Sequence, residues 1–252
     1  MLTSGQRAPG TALPFPAPSW AGVGTCTLAG TVLAAPPAPH RLAWHLLVLA
    51  TAGQGTAEID FEPRPCRPGT LLWIRPGQAV RFDGGPDLDA AVVAWEPGLL
   101  SADQVAGVPM EDPAGPARWQ LAGADEDAIS GGFTRLAADG DRYSPGDVAA
   151  ALLRHQLAVL LLRVALLTAD DTVGRATPEG RTFARFRRAL EDGHRSTRRV
   201  EDYADRLGCS VRTLTRASLA VTGRTAKQIV DDRVALEARR LLACSELSVA
   251  EI

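Results

Sequence analysis

The stretch Arg198–Gly223, RRVEDYADRLGCSVRTLTRASLAVTG, decides how the second half of this chain is read. Val200, Tyr203, Ala204 and Leu207 recur at the spacing of a short amphipathic helix. Gly208 closes that helix, because a sharp helix-to-helix turn needs a residue that tolerates positive φ. Ser210 is placed to cap a second helix, whose inner face is expected to hold Val211, Leu214 and Ala217. Two short helices about such a turn form the helix-turn-helix pattern. The second helix then turns Arg212, Thr213, Thr215 and Arg216 outward, residue types that reach base edges and phosphates in a DNA groove. An αα-hairpin with a solvated basic face fits the same spacing, so charge has to separate the two readings.

Charge favours DNA. Residues 178–243 hold 14 Arg and Lys227 against 9 Asp and Glu, whereas residues 1–177 hold 12 Arg and no Lys against 18 acids. An acidic first part joined to a basic last part suggests a polyanion-binding module attached to something else. The excess of Arg over Lys also reflects GC-rich coding, so arginine content alone carries less weight than its distribution.

Helix signals flank the central stretch. Thr177-Pro178-Glu179 opens a helix to about Asp192, stopped by Gly193, with Phe183, Phe186 and Leu190 on its buried face. Thr225 and Gln228 form a capping box for a helix Thr225–Cys244, with Ile229, Val230, Val234, Leu236, Leu241 and Leu242 expected inside. Ser248 and Glu251 repeat the capping box, with Leu247 and Ile252 as a hydrophobic staple. A new helix is thus announced at Ser248, and the chain reads as a truncated form of a longer one. Upstream, Ser144-Pro145 predicts the start of an apolar helix to Thr168, with Leu153, Leu157, Leu160 and Val164 on one stripe and Leu162 and Leu166 off it. So broad an apolar face needs a large partner surface. Arg154-His155-Gln156 and Arg163 interrupt it, so no window is expected to span a bilayer.

The first half reads as β structure. Leu42–Ala50, Thr70–Ile74, Ala79–Phe82 and Ala90–Trp95 are short apolar runs, and Ala57, Ile59 and Phe61 alternate with acids as in a half-buried strand. Gly53 and Gly55, Pro68-Gly69, Pro76-Gly77, Gly84-Gly85-Pro86 and Pro97-Gly98 separate them. Regular short strands argue for a sandwich or small barrel. Residues 1–40 read as loosely structured. Residues 99–143 read as a connector with one or two short helices, broken by Pro109, Pro113, Pro116 and Gly131-Gly132.

Composition bounds these readings. With 252 residues, 46% hydrophobic and 22% charged, the chain is an ordinary globular protein of roughly 1.7 domains, neither disordered nor fibrous. Cys26, Cys66, Cys209 and Cys244 lie far apart and read as reduced thiols in a cytoplasmic protein. The N-terminus carries no signal-peptide pattern.

Residues Phe183–Ile252 resemble the AraC-type (AraC/XylS) family of bacterial transcription regulators. The resemblance rests on the helix ending DRLGCS, the LTR of the second helix, Gly223, then DDRVALEARRLL and LSVAEI. It implies two helix-turn-helix units joined by the helix Thr225–Cys244, the second unit incomplete beyond Ile252. The strings APHRLAWHLLVLATAGQGTAEIDF and RPGTLLWIRPGQAVRFD resemble the family's cupin-like sensor domain. The resulting expectation is an α+β chain, with a cupin-like antiparallel β-barrel followed by an all-α helix-turn-helix domain. Its parts are an effector-sensing domain at 1–108, a connector and dimerisation helix at 109–176, and the DNA-binding domain at 177–252. Carried over by position, base contacts fall on Arg212, Thr215 and Arg216, with Ser210, Thr213 and Lys227 near phosphates. Ser218 departs from the family, which often has a large aromatic residue there; Leu219 is expected to take over its packing.

The resemblance implies a transcription regulator acting on double-stranded DNA under a small-molecule effector. It is expected to be a cytoplasmic homodimer, with no membrane association and RNA polymerase a further possible partner. His45, Trp73, Arg75, Gln78 and Arg81 are the candidates for lining the effector pocket, against a bland reading with Trp73 in the core and both arginines in solvent. An enzyme is not expected. His40 and His45 are five apart and would face opposite sides of one strand, neither has a suitably spaced Glu, and no G-x-S-x-G, P-loop or H-E-x-x-H occurs. No metal and no cofactor are therefore called for. The rival reading is a dimerising ligand-binding module with little specific DNA binding of its own.

Overall fold

A computed structural model describes residues 21–31, 33, 38–83, 87–110, 115, 117–167 and 177–252. The chain divides into two compact units, 1–167 and 168–252. The expected turn at Gly84-Gly85-Pro86, the readings of residues 1–20 and the helix end at Thr168 lie outside the described residues.

Among the described residues, the first unit is built on nine strands: β1 (Val23–Thr27), β2 (His40–Arg41), β3 (His45–Ala52), β4 (Gly55–Ile59), β5 (Glu62–Cys66), β6 (Thr70–Ile74), β7 (Ala79–Asp83), β8 (Asp89–Trp95) and β9 (Arg118–Gln120). They form two antiparallel sheets, a five-stranded one ordered β1-β8-β3-β6-β9 and a four-stranded one ordered β2-β7-β4-β5. Alternation then separates two cores. Leu46, Val48, Ile74, Val92 and Ala94 point from the larger sheet toward Ala57, Ile59, Val80 and Phe82 of the smaller one. Their neighbours Leu47, Leu49, Leu71, Trp73, Val93 and Trp95 point the other way, onto two helices, α1 (Gly123–Arg142) and α2 (Asp147–Leu166). The larger sheet is therefore buried on both faces, which is why its strands read as continuous apolar runs.

Several local expectations are corrected. The first long strand begins at His45, not Leu42. Phe61 belongs to no strand: Asp60 and Phe61 form a turn with φ of 54° and 68°. The Asp60 carboxylate locks that turn by accepting from Gln78 Nε2 at 2.8 Å and Ala79 N at 3.1 Å. Strand β5 follows, missed because of Pro63 and Pro65. It pairs only with β4, and an edge strand tolerates residues that cannot donate to a second neighbour. Strand β1 lies within the stretch read as loose, and β9 within the connector.

The largest correction concerns Gly131-Gly132, which do not break α1: the helix runs through both. Its inner face of Ile129, Phe133 and Leu136 is buried, and tertiary packing outweighs the poor helix propensity of glycine. Helix α2 starts at Asp147 with Gly146 as N-cap, so Ser144 is not the cap. By length and composition α2 could cross a bilayer, contrary to the reading of its sequence. Here Leu153, Leu157, Leu160, Leu161 and Val164 are packed against the sheet.

The second unit comprises α3 (Pro178–Gly193), α4 (Val200–Leu207), α5 (Val211–Thr222) and α6 (Ala226–Cys244). Its core joins Phe183, Phe186 and Leu190 to Tyr203, Ala204, Leu214, Ala217 and Val230. The expected capping interactions are present: Thr177 accepts from Gly180 N, and Thr225 and Gln228 close their box. Ser248 and Glu251 close theirs over the single 3₁₀ turn Val249–Glu251. Leu242, expected inside, is exposed. Its helix instead buries Glu237 and Arg240.

Candidate functional site

The turn between α4 and α5 sets the geometry of the basic face. Gly208 adopts φ 64°, ψ 37°, and Arg185 of α3 donates to the Leu207 carbonyl at 3.2 Å, closing the end of α4. Ser210 then caps α5 by accepting from Thr213 N at 3.1 Å. Tyr203 holds the entry to α4 by donating its hydroxyl to the Thr197 carbonyl at 2.9 Å. Together these short-range bonds fix the direction in which α5 leaves the turn.

Helix α5 buries Leu214, Ala217 and Ser218, and leaves Arg212, Arg216 and Leu219 exposed. Val211, expected inside, is exposed at 37% because it occupies the first turn, beyond the reach of the core. The small residue at 218 turns out to be a packing choice. Ser218 is fully buried and returns its hydroxyl to the Leu214 carbonyl at 2.9 Å. Leu219 does not replace a missing aromatic, since it faces solvent beside the arginines.

Arg212, Thr215 and Arg216 share this open side, with Ser210 and Thr213 at its start, their hydroxyls 2.9 Å apart. Lys227 sits on the first turn of α6 and is paired with Asp231. The acids are the part that the sequence reading missed. Arg216 Nη2 lies 3.7 Å from Glu179 Oε1 on α3, and Arg224 pairs with Asp232. Arg212 makes no hydrogen bond or ion pair with a described residue. Only proximity in space could show these pairings, since Glu179 and Arg216 are far apart in sequence.

Behind this face α6 is tied to α3 by buried charge. The Glu237 carboxylate accepts from Arg195 at 2.5 Å and from Arg233 at 3.3 Å, with Arg240 and His194 each 3.8 Å away. Arg233 also donates to Glu191 of α3 at 2.8 Å. These contacts set the direction of the long helix.

The five candidate effector residues are only partly brought together. His45, Trp73 and Arg75 meet on the helix-facing side of the larger sheet, not between the two sheets. The Arg75 guanidinium lies 4.4 Å over the Trp73 ring and donates to the Gly115 carbonyl at 3.4 Å. Trp73 Nε1 donates to His45 Nδ1 at 3.4 Å. Burial, reinforced by the Arg75 charge, lowers the His45 pKa to about 4. Trp95 joins this cluster, its Nε1 buried without a hydrogen-bond partner among the described residues. Gln78 touches the cluster through the Arg75 backbone, its side chain accepting from Arg75 N at 2.7 Å and its own N–H donating to the Arg75 carbonyl at 3.2 Å. Arg81 faces away, paired with Glu58 at 2.9 Å on the outer side of the smaller sheet. So Arg75 is buried rather than solvated, and Arg81 is half-exposed.

Burial pushes the Cys26 thiol up to about 11, and none of the four cysteines is in a disulfide. Among the described residues, no three His, Cys, Asp or Glu side chains are grouped as a metal site.

An acidic two-sheet unit is thus followed by a basic helix-turn-helix unit. Residues 23–103 match the family of AraC-like ligand binding domains, and residues 203–252 match a helix-turn-helix domain family. The two matches span more than half of the chain, which belongs to the AraC-like regulators. Among solved structures, the AraC-like transcriptional activator CuxR is 16% identical, with 88% of this chain and 75% of that one covered and a TM-score of 0.33. Apo ToxT from Vibrio cholerae is 8% identical over 90% of this chain and 85% of that one, with a TM-score of 0.43. Streptomyces PAC13, solved with uridine, is 11% identical over 32% of this chain, which spans 64% of that one, with a TM-score of 0.24. No curated protein matches the chain.

Proposed function

We propose that this protein is an effector-controlled transcription regulator that inserts α5 into the major groove of double-stranded DNA. Arg212, Thr215 and Arg216 would read base edges, while Ser210, Thr213 and Lys227 would contact phosphates. The observation that carries the reading is the pairing of the positive-φ Gly208 turn with an open α5 face bearing both arginines. Arginine reads guanine through two hydrogen bonds, and backbone contacts hold the register. A chromosomal target implies a cytoplasmic location, and RNA polymerase is the natural downstream partner.

The homodimer is supported by α2. Val148, Leu152, His155, Val159, Leu162 and Leu166 are all exposed and alternate at four- and three-residue steps, the spacing of a coiled-coil seam. The seam is self-complementary in an antiparallel register that sets Val148 against Leu166, Leu152 against Leu162 and His155 against Val159 of a second copy. Effector binding is assigned to the His45–Trp73–Arg75 cluster, whose aromatic walls and buried cation suit an anionic or aromatic small molecule.

The test is a fluorescence titration against an operator selected from a random duplex pool, at two salt concentrations. A regulator of this kind binds the selected duplex far more tightly than the pool at both. Equal, steeply salt-dependent affinity for both duplexes would favour the second reading, a dimerising ligand-binding module. That reading draws on the acids beside the DNA face, Glu179, Asp231 and Asp232, which partner Arg216, Lys227 and Arg224.

A further inference from the structure

Helices α1 and α2 leave between them a groove of about 310 Å³ on the side away from the sheets. Two glycines shape it differently. A Cβ on Gly132 would lie 3.0 Å from Leu160 Cδ1, so this glycine lets the helices approach. A Cβ on Gly131 would meet nothing within 4 Å. Its missing side chain makes room for no protein atom; it widens the groove. Glycine is the poorest helix former after proline, so two in succession inside a 20-residue helix are costly, and packing accounts for only one.

The rim is basic. Arg135, His155 and Arg163 line the groove, with Asp127 the single acid among the lining residues. Arg163 uses one N–H on the Ala128 carbonyl at 2.9 Å, and its other N–H groups contact no described residue. Arg135 makes no hydrogen bond or ion pair with a described residue. In the wall, Gln156 donates Nε2 to Asp139 at 2.6 Å, which leaves its shielded Oε1 without a donor.

We propose that this groove is a binding site for a small organic anion. Its apolar body would rest over Gly131 against Val159 and Leu160, and its acid group would be held by Arg135 and Arg163. A mostly apolar cleft with a few convergent charges is the usual make-up of a small-molecule site. The site is separate from the His45–Trp73–Arg75 cluster and does not depend on the effector reading of that cluster. His155 and Val159 also belong to the exposed seam of α2, so an occupant would lie beside any second copy docked there.

The experiment uses the full chain and two dyes that differ in one group, 8-anilinonaphthalene-1-sulfonate and N-phenyl-1-naphthylamine, which lacks the sulfonate. The expected result is saturable binding of the sulfonate dye at one site per chain, at least tenfold tighter than its neutral analogue. Replacing both Arg135→Ala and Arg163→Ala removes that preference and leaves the neutral dye unaffected. Gly131→Leu fills the groove and weakens both dyes at least tenfold, without lowering Tm. No saturable binding, equal affinity for the two dyes, or an undiminished preference for the sulfonate dye in the double arginine variant would overturn the proposal. The two arginines are exposed, so the double variant decides the matter even if Gly131→Leu disturbs α1.

Discussion

The imidazole of His45 lies flat on the indole of Trp95, ring centroids 5.0 Å apart and planes within 9°. The two residues are direct cross-strand partners on β3 and β8. Trp73 donates to His45 Nδ1, which requires that nitrogen to be unprotonated, and burial with the Arg75 charge holds the pKa down to about 4.

Acid should therefore weaken the first unit. The unfolded chain takes up this proton near pH 6.5 and the folded one only near 4. Stability from His45 is then complete above about pH 6.5 and is lost as pH falls toward 4, by up to about 3 kcal/mol. Urea unfolding at pH 7.5 and at pH 4.5 measures it. His45→Phe should keep the stack and lose this part of the pH dependence. An unchanged difference between the two pH values would assign the effect to other groups.

Glu237 should matter more than its helix-face position suggests. It is 6% exposed and gathers Arg195, Arg233 and Arg240. Glu237→Leu removes the carboxylate that Arg233 and Arg240 share, while Arg233 keeps Glu191 at 2.8 Å, so the expected loss is about 1–3 kcal/mol. Thermal unfolding followed by circular dichroism would report it. A loss well under 1 kcal/mol would mean that the arginines find other partners.

Leu162→Glu places a charge in the exposed seam of α2 while sparing its buried stripe. The expected outcome is a monomer by size-exclusion chromatography with light scattering, at a Tm within a few degrees of the parent. A dimer that survives this change would exclude the proposed antiparallel register.

On the DNA face, Arg216→Ala should weaken binding to a selected operator by about 1–3 kcal/mol. Glu179→Gln should act oppositely and weakly. Arg216 is exposed, Glu179 is half-buried and the two lie 3.7 Å apart, so releasing Arg216 is worth about 0–1 kcal/mol and would tighten binding to random duplex DNA by a few-fold at most. Parallel fluorescence anisotropy titrations compare the two variants. A Glu179→Gln protein that binds less tightly would show that the carboxylate orients Arg216 rather than competing for it.

The sequence by itself determined the features that depend on neighbours along the chain. Ser210 and Thr225 had to cap, because residues three positions on supply the bonds involved, and Gly208 had to turn, because it is the residue there that tolerates positive φ. Thr70–Ile74 was legible as a strand from its short apolar run between Pro-Gly turns, although its ladder partners on β3 and β9 are remote in sequence. Arg212 and Arg216 were placed on the open face of α5 for the same reason: helical periodicity alone sorts them from Leu214 and Ala217. Only the tertiary structure decided the rest. Gly131-Gly132 carries a breaker signal that is overridden once Ile129 and Phe133 dock on the sheet. The prolines of β5 hide a strand that exists because it lies at an edge. On α2, helical spacing grouped Leu153, Leu157, Leu160 and Val164 on one stripe apart from Leu162 and Leu166, but only the packed sheet decided that the first is buried and the second left exposed. The pairing of Arg216 with Glu179 and the gathering of three arginines on Glu237 join residues remote in sequence, and chain folding alone brings them within reach.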